Sequence, residues 1–178
     1  MRLILASLCI ALSLAACATT TPPPGIAVGE SVLLLNVEGG KFEEFRSMTV
    51  GTPIEQTVDL AIERVNPDPR WLPLASVCAR SADFEHSTCV HLSALYKGSS
   101  DLMLTRKLYQ DRGATMLLRE PLPGKYSLGE PVTIGLRSGP NMIELKVGKN
   151  PWQMHSLPFT PETVYLICSS ALCMLRMH

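Results

Sequence analysis

Short runs of alternating apolar and polar residues, separated by Gly, Pro, Asn or Asp, cover most of the chain after Gly25. The clearest pair is Val132–Arg137 and Met142–Val147, which a Ser-Gly-Pro-Asn turn joins. Because alternation with a period of two gives each strand one apolar and one solvated face, this pair predicts an antiparallel hairpin. About ten or eleven such strands at short, regular spacing predict an all-β antiparallel sandwich of the jelly-roll kind.

The remaining segments rich in β-favouring residues extend this prediction along the chain. They are Ser31–Val37, Phe42–Val50, Thr57–Val65, Trp71–Ala79, Thr88–Tyr96, Leu102–Tyr109, Thr115–Arg119, Thr163–Cys168 and Leu172–Met177. Residues 53–65 also fit a helical spacing, so a helix there is the alternative, although we favour a strand. With no second hydrophobic block and no repeat, residues 28–178 are expected to form a single β-sandwich domain.

The first 17 residues have the pattern of an export signal. Arg2 supplies a positive charge, and an apolar run from Leu3 to Leu14 follows it. This run is shorter than the ~20 residues that span a bilayer, so residues 1–16 are predicted to be a removable signal peptide. Leu14-Ala15-Ala16-Cys17 resembles the lipobox of bacterial lipoproteins. The resemblance implies that Cys17 becomes the first residue of the mature protein and carries diacylglycerol and a fatty acyl chain such as palmitate. The alternative is cleavage by an ordinary signal peptidase, leaving Cys17 as a free thiol.

The segment after Cys17 is expected to act as a tether between the membrane and the domain. Residues 17–27 are rich in threonine and proline, and a triple proline favours an extended backbone. In many lipoproteins of this kind an Asp after the modified cysteine retains the protein at the inner membrane. Ala18 occupies that position here, so the resemblance favours the periplasmic face of the outer membrane.

Charge and motif content remove several classes of function. The chain has 16 Lys and Arg against 16 Asp and Glu, with no basic block, which argues against a nucleic-acid partner. No phosphate-binding loop, dinucleotide-binding glycine pattern, zinc-protease motif or Gly-x-Ser-x-Gly occurs, so no cofactor and no catalytic residue is predicted. The remaining partners are the membrane, through the lipid anchor, and a glycan or an envelope protein.

Four cysteines remain after Cys17 is assigned to lipid, and an even number in an exported protein indicates disulfides. Closeness in sequence favours Cys78–Cys89, around a loop, and Cys168–Cys173, across the tight turn of a hairpin. A metal site is the alternative, because His86 and His91 flank Cys89, with Cys78 upstream. The oxidising compartment and the irregular spacing favour disulfides and no metal. We expect His86 to be an exposed loop residue and His91 a strand residue.

Residues Gly129 to Val147 resemble the late hairpin of concanavalin A-like and laminin G-like sandwiches, in which a Gly-x-Pro-Val-Thr-Ile strand leads through a Gly/Asn turn into an Ile-x-Leu-x-Val strand. The resemblance implies that fold for the body of the chain and assigns no ligand residue. Glycoside hydrolases need a pair of carboxylates. Asp59 and Glu63 share a strand face, and Glu43 and Glu44 are adjacent, but neither pair has the family's catalytic pattern.

Candidate ligand residues are aromatic, because sugar-binding sites use exposed aromatic rings. Trp71 and Trp152 each follow a proline in an expected loop and are the predicted ligand-binding residues; Tyr96, Tyr109 and Tyr126 are further candidates. Packing at the edge of the core is the alternative for each. The predicted function is a lipid-anchored, non-catalytic binding module of the cell envelope, for a glycan, peptidoglycan or protein. The alternatives are a structural accessory lipoprotein of an outer-membrane assembly and an envelope hydrolase.

Overall fold

The structure, a computed structural model, describes residues 31–50, 53–68 and 70–178. The predicted signal peptide, Cys17 and the tether of residues 17–27 lie outside the described residues, so lipid attachment stays a prediction. No helix in the described part of the chain is long and apolar enough to cross a membrane.

Twelve strands in the described residues form two six-stranded antiparallel sheets. The first sheet has the order β1-β12-β3-β8-β9-β10 and the second β2-β11-β4-β5-β6-β7. The strands are β1 Ser31–Asn36, β2 Phe42–Val50, β3 Glu55–Val65, β4 Leu74–Arg80, β5 Ser87–Ala94, β6 Asp101–Gln110, β7 Thr115–Ser127, β8 Val132–Gly139, β9 Met142–Val147, β10 Gln153–Ser156, β11 Thr163–Ser169 and β12 Ala171–Met177. A single 3-10 turn, Asp111–Gly113, lies between β6 and β7.

The core lies between the sheets and is built from every second residue of the central strands. Leu60 and Ile134 of the first sheet and Val77, Leu92 and Leu166 of the second are almost completely buried in one apolar cluster. Packing of two inner faces in this way is the defining feature of a β-sandwich. The predicted fold class is therefore confirmed, and the second sheet has an outer face free to carry a site.

The predicted hairpin of β8 and β9 is present, with Leu136 opposite Leu145. Residues 55–65 form a strand, so the helical alternative is wrong. Two features were not predicted: β10, and the continuation of β7 from Glu120 to Ser127.

Both predicted disulfides are present, but one of them has a different setting from the one expected. Cys78 and Cys89 lie directly opposite each other on β4 and β5, with Cα atoms 4.0 Å apart. Cys168 and Cys173 do not close a hairpin, because β11 belongs to the second sheet and β12 to the first. Ser170, at φ 49°, turns the chain between them. This disulfide therefore joins the two sheets.

Candidate functional site

A groove of about 680 Å³ crosses the outer face of the second sheet. Strands β11, β4, β5 and β6 form its floor, and the β3–β4 and β4–β5 loops rise at opposite ends. Its lining is mostly aromatic and aliphatic, with a few polar groups: Phe42, Glu44, Trp71, Leu72, Leu74, Arg80, Phe84, Ser87, Cys89, His91, Tyr109, Arg112, Gly113, Tyr165, Ile167 and Ser169.

Exposed aromatic side chains stand at both ends of the groove. Phe42 and Trp71, 60% and 46% exposed, lie at the end where β4 begins, and Phe84, 40% exposed, lies where β4 ends. Exposed apolar side chains gathered around one groove are typical of ligand-binding or partner-binding surfaces.

The two end loops are held by side-chain hydrogen bonds to their own backbone. Asp68 Oδ1 accepts the N–H groups of Arg70 and Trp71 at 2.8 and 3.2 Å, which orders the residues that carry Trp71. In the other loop Ser81 Oγ donates to Asp83 Oδ1 at 2.6 Å and accepts the N–H of His86 at 3.0 Å. Asx and Ser turns of this kind fix a loop without regular secondary structure, so both rims are preformed.

Arg80, the last residue of β4, lines the groove floor at the end where Phe84 stands. Its guanidinium carbon is 3.8 Å from the centre of the Tyr165 ring and 5.3 Å from that of Phe84. Two of its nitrogens donate to the two carboxylate oxygens of Glu44 at 3.4 and 3.2 Å. Stacking on aromatic rings and a two-point ion pair hold the planar group in one orientation. The Cys78–Cys89 disulfide packs against Tyr165, whose hydroxyl lies 3.7 Å from Cys89 Sγ.

His91 links a buried serine to a tyrosine on the groove floor. Its Nδ1 lies 2.6 Å from Ser76 Oγ, and its Nε2 lies 3.2 Å from the Tyr109 hydroxyl. Burial, with a smaller effect from Lys107, lowers the pKa of His91 to about 3, so the ring is neutral at physiological pH. Ser76 is fully buried and cannot act as a nucleophile towards a ligand in the groove. The two hydrogen bonds of His91 therefore orient the Tyr109 hydroxyl.

The structure separates the two tryptophans that the sequence singles out. Trp71 lines the groove, whereas Trp152 lies on the outer face of the opposite sheet. There Arg137 stacks on it at 4.2 Å, and the ring is so close to Gly135 that an added Cβ would come within 2.7 Å of it. Whether either tryptophan binds a ligand stays a prediction, but the groove includes only Trp71.

The other candidates also lie at different places. Tyr109 is in the groove, Tyr96 lies on the β5–β6 turn, and Tyr126 lies on β7 with its ring against Gly124 of the same strand. His86 is half-buried and stacks on Phe159 with ring centres 5.6 Å apart, so the expectation of an exposed residue is wrong. Of the described residues, no three His, Cys, Asp or Glu side chains come together as metal ligands.

The candidate carboxylates do not form a catalytic pair. Asp59 accepts a hydrogen bond from Thr133 at 2.7 Å and contacts His178, on the outer face of the first sheet, and Glu63 is exposed on the same strand. Glu44 is the one carboxylate among the described residues that line the groove, and it pairs with Arg80.

Sequence reasoning missed Arg80, Tyr165, Phe42 and Phe84 as lining residues. Phe42 and Tyr165 belong to segments that were predicted as strands, Arg80 directly follows one, and Phe84 lies in the expected loop between Cys78 and Cys89. Their side chains meet only through the strand order β2-β11-β4-β5, which brings Phe42 and Tyr165, more than a hundred positions apart, to one face.

Comparison with known proteins agrees with this fold. The carbohydrate-binding module CBM66 from Bacillus subtilis superposes with a TM-score of 0.54 at 10% identity, over 80% of this chain and 81% of that one. The transglycosylase Crh5, in a complex with NAG, gives 0.53 at 9% identity, over 83% and 69%. A xylan β-1,4-xylosidase from Bacillus halodurans gives 0.50 at 12% identity, over 72% of this chain and 27% of that one.

At these identities the similarity shows the fold alone. The chain has a jelly-roll β-sandwich fold, which supports the resemblance to concanavalin A-like sandwiches that its hairpin of β8 and β9 indicated. No protein-family profile and no curated protein sequence matches it.

Proposed function

We propose that the groove on the second sheet binds a segment of glycan without cleaving it. The observation that carries the proposal is the placement of exposed Trp71 and Phe42 at one end and Phe84 at the other, above a floor with fixed polar groups. Aromatic rings pack well against the C–H faces of sugar rings, while a few oriented donors and acceptors select the hydroxyl pattern. Arg80 and Tyr109 supply such groups here.

The absence of a second groove carboxylate among the described residues supports binding rather than hydrolysis. Glycoside cleavage by the usual mechanism needs two carboxyl groups roughly 5–10 Å apart, one of them free to act as a general acid. Glu44 instead forms a two-point ion pair with Arg80. A non-catalytic module is the function that this arrangement fits best.

The comparisons support a sugar ligand in a limited way. The similar structures include a named carbohydrate-binding module and two enzymes named for transglycosylase and xylosidase activity, so this kind of sandwich serves glycan recognition in other proteins. Since fold does not determine function, the weight of the proposal rests on the groove.

The groove proposal is tested by comparing two tryptophan substitutions on opposite sheets. Trp71→Ala is expected to weaken binding on a glycan array at least tenfold, because it removes a stacking surface, whereas Trp152→Ala leaves binding unchanged. Thermal unfolding of both variants controls for lost structure. Loss of binding in Trp152→Ala with normal binding in Trp71→Ala would place the ligand on the first sheet and overturn the proposal.

We further propose that Cys17 carries the lipid anchor and holds this module at the periplasmic face of the outer membrane, where peptidoglycan is a candidate ligand. Cys17→Ser should abolish fatty-acid labelling and release the protein from the membrane fraction. Labelling that persists in this variant rejects the anchor and leaves the groove proposal intact.

A structural accessory role is the second candidate, and the edge of the second sheet favours it. Strand β7 ends that sheet and exposes three consecutive apolar residues, Met116, Leu117 and Leu118. Exposed apolar edge strands are sites where other chains add. Leu117→Glu should then abolish co-purification of an envelope protein without affecting glycan binding.

A further inference from the structure

Two basic residues lie directly opposite each other beside the groove. Lys107 on β6 is in register with Arg119 on β7, and on its other side with Cys89 on β5. Since residues in register point to the same face of a sheet, Lys107 and Arg119 share the outer face with Cys89, which lines the groove. The two cations therefore extend the groove floor towards β7.

The neighbouring pair on the same strands, by contrast, has opposite charges. One position away, Arg106 faces Glu120 in register, and their side chains form a 2.9 Å salt bridge on the inner face. Neither Lys107 nor Arg119 forms a salt bridge with any acidic side chain that the structure describes. Like charges directly opposite each other destabilise a sheet, so this pair costs the folded state stability.

Partial burial of Lys107 adds to the cost of keeping its positive charge beside Arg119. Burial lowers its pKa, and the positive charge of Arg119 lowers it further. An ammonium group in such a place is poorly solvated and faces a second cation, which is the environment that an anionic group stabilises most.

The cations are continuous with the polar part of the groove. Tyr109 lies two residues beyond Lys107 on β6, and its hydroxyl is held by His91. Because His91 is neutral, the positive charge on this side of the floor comes from Lys107 and Arg119. Arg112, at the groove end, is already paired with Glu85 at 3.0 Å.

We propose that Lys107 and Arg119 form an anion-binding subsite on the β7 side of the groove, so that the glycan it accepts carries carboxylate or sulfate groups. This inference rests on the proposed glycan-binding function and specifies the chemical class of its ligand. An anionic substituent placed between the two cations removes their repulsion and gains charge-assisted hydrogen bonds.

The test compares the binding of charged and uncharged forms of the same polysaccharide. Polygalacturonate and its fully methyl-esterified form differ in carboxylate charge, and dextran sulfate and dextran form the corresponding sulfate pair. Wild-type protein should bind at least one charged polymer about tenfold or more tightly than its uncharged form, since hydrogen bonds to charged groups are the stronger ones. Binding should weaken as salt rises.

Lys107→Met, which keeps the length of the side chain, and Arg119→Gln should each remove most of this preference. Lys149→Met, an exposed lysine on the β9–β10 loop, is the matched control and should keep it. Lys107→Met should also raise the melting temperature, because it relieves repulsion, whereas a merely structural role would lower it.

The outcomes separate this inference from the groove proposal. Equal binding of charged and uncharged polymers, weakened in both by Trp71→Ala, keeps the groove proposal and overturns the anionic subsite. A preference that survives Lys107→Met and Arg119→Gln, or no binding of either charged polymer, also overturns it. Binding of charged polymers that is lost in Lys107→Met but unaffected by Trp71→Ala supports the subsite and rejects the groove.

Discussion

Cys168 and Cys173 lie on consecutive strands that belong to opposite sheets, and the disulfide between them fastens the two layers of the sandwich. Both sulfurs are buried in the central apolar cluster. Cys78–Cys89, by contrast, connects two strands that already pair within one sheet. The two disulfides, which span 11 and 5 residues of sequence, therefore have different mechanical roles.

Removing the Cys168–Cys173 disulfide with the double substitution to alanine should lower the free energy of unfolding by at least 2 kcal/mol, the approximate loop-closure term for so short a loop. Loss of buried sulfur atoms adds to this cost. Urea unfolding followed by fluorescence measures it. The double alanine variant of Cys78 and Cys89 is the control and should retain the inter-sheet packing. An unchanged unfolding midpoint in the first variant would contradict the role assigned to this disulfide.

His91 makes the stability of the domain depend on pH. Because burial lowers its folded-state pKa to about 3 from 6.5, the unfolded chain binds a proton that the folded state does not. The contribution of His91 to the free energy of unfolding is complete above about pH 6.5. It is lost as the pH falls from there towards 3, with a slope of up to about 1.4 kcal/mol per pH unit.

His91→Gln should flatten this dependence, as measured by urea unfolding at several pH values. NMR titration of the wild-type protein should find the His91 ring neutral at pH 5. Protonation of His91 near pH 6.5 would contradict the burial argument.

Gly135 provides the space in which Trp152 packs. A Cβ at position 135 would lie 2.7 Å from the Trp152 ring and 3.3 Å from Lys146 Cβ. Gly135→Ala should therefore displace the ring, cost about 1–3 kcal/mol of stability, and shift the tryptophan fluorescence. In the Trp152→Ala background the same substitution should cost much less, because the clash is gone. Additive costs in this double-mutant cycle would show that Trp152 does not rest on Gly135.

Most strands could be predicted because their alternation is strong, as at Val132, Ile134 and Leu136. The strand β10, Gln-Met-His-Ser, lacks that alternation and is only four residues long. The second half of β7 contains Pro121 and Pro123, which normally argue against a strand. They are tolerated here because β7 is an edge strand with one unpaired side.

The site was less predictable than the fold, because it depends on which strands become neighbours. Periodicity shows that Cys168 and Cys173 flank a sharp turn, but a hairpin and a crossing between sheets have the same local pattern. For the same reason, Trp71 could be selected as an aromatic residue after a proline, whereas its place opposite Phe84 across Arg80 and Tyr165 required the strand order of the second sheet.

Arg106 is a charged residue inside the sandwich, only 4% exposed, and it connects the two sheets. Its Nη1 donates to Glu120 Oε2 at 2.9 Å on β7 and to His155 Nδ1 at 3.1 Å on β10. Acceptance by Nδ1 requires a neutral imidazole. Burial, and then the charge of Arg106, lower the pKa of His155 accordingly, while Glu120 opposes the shift.

Glu120→Gln should destabilise the protein more than Arg106→Met, because the first leaves a buried cation without its counter-ion and the second replaces it with an apolar chain. We expect a loss of about 2 kcal/mol for Glu120→Gln, below the value for a fully buried pair because Glu120 is partly exposed.

With Glu120 neutral, the pKa of His155 should fall further. Since a depressed histidine pKa loses its stabilising contribution as the pH drops below about 6.5, acid unfolding of Glu120→Gln should begin at a higher pH than in the wild type. Circular dichroism between pH 7 and 3 measures the midpoint of acid unfolding. An unchanged midpoint in Glu120→Gln, together with a greater loss of unfolding free energy in Arg106→Met, would refute the charge argument.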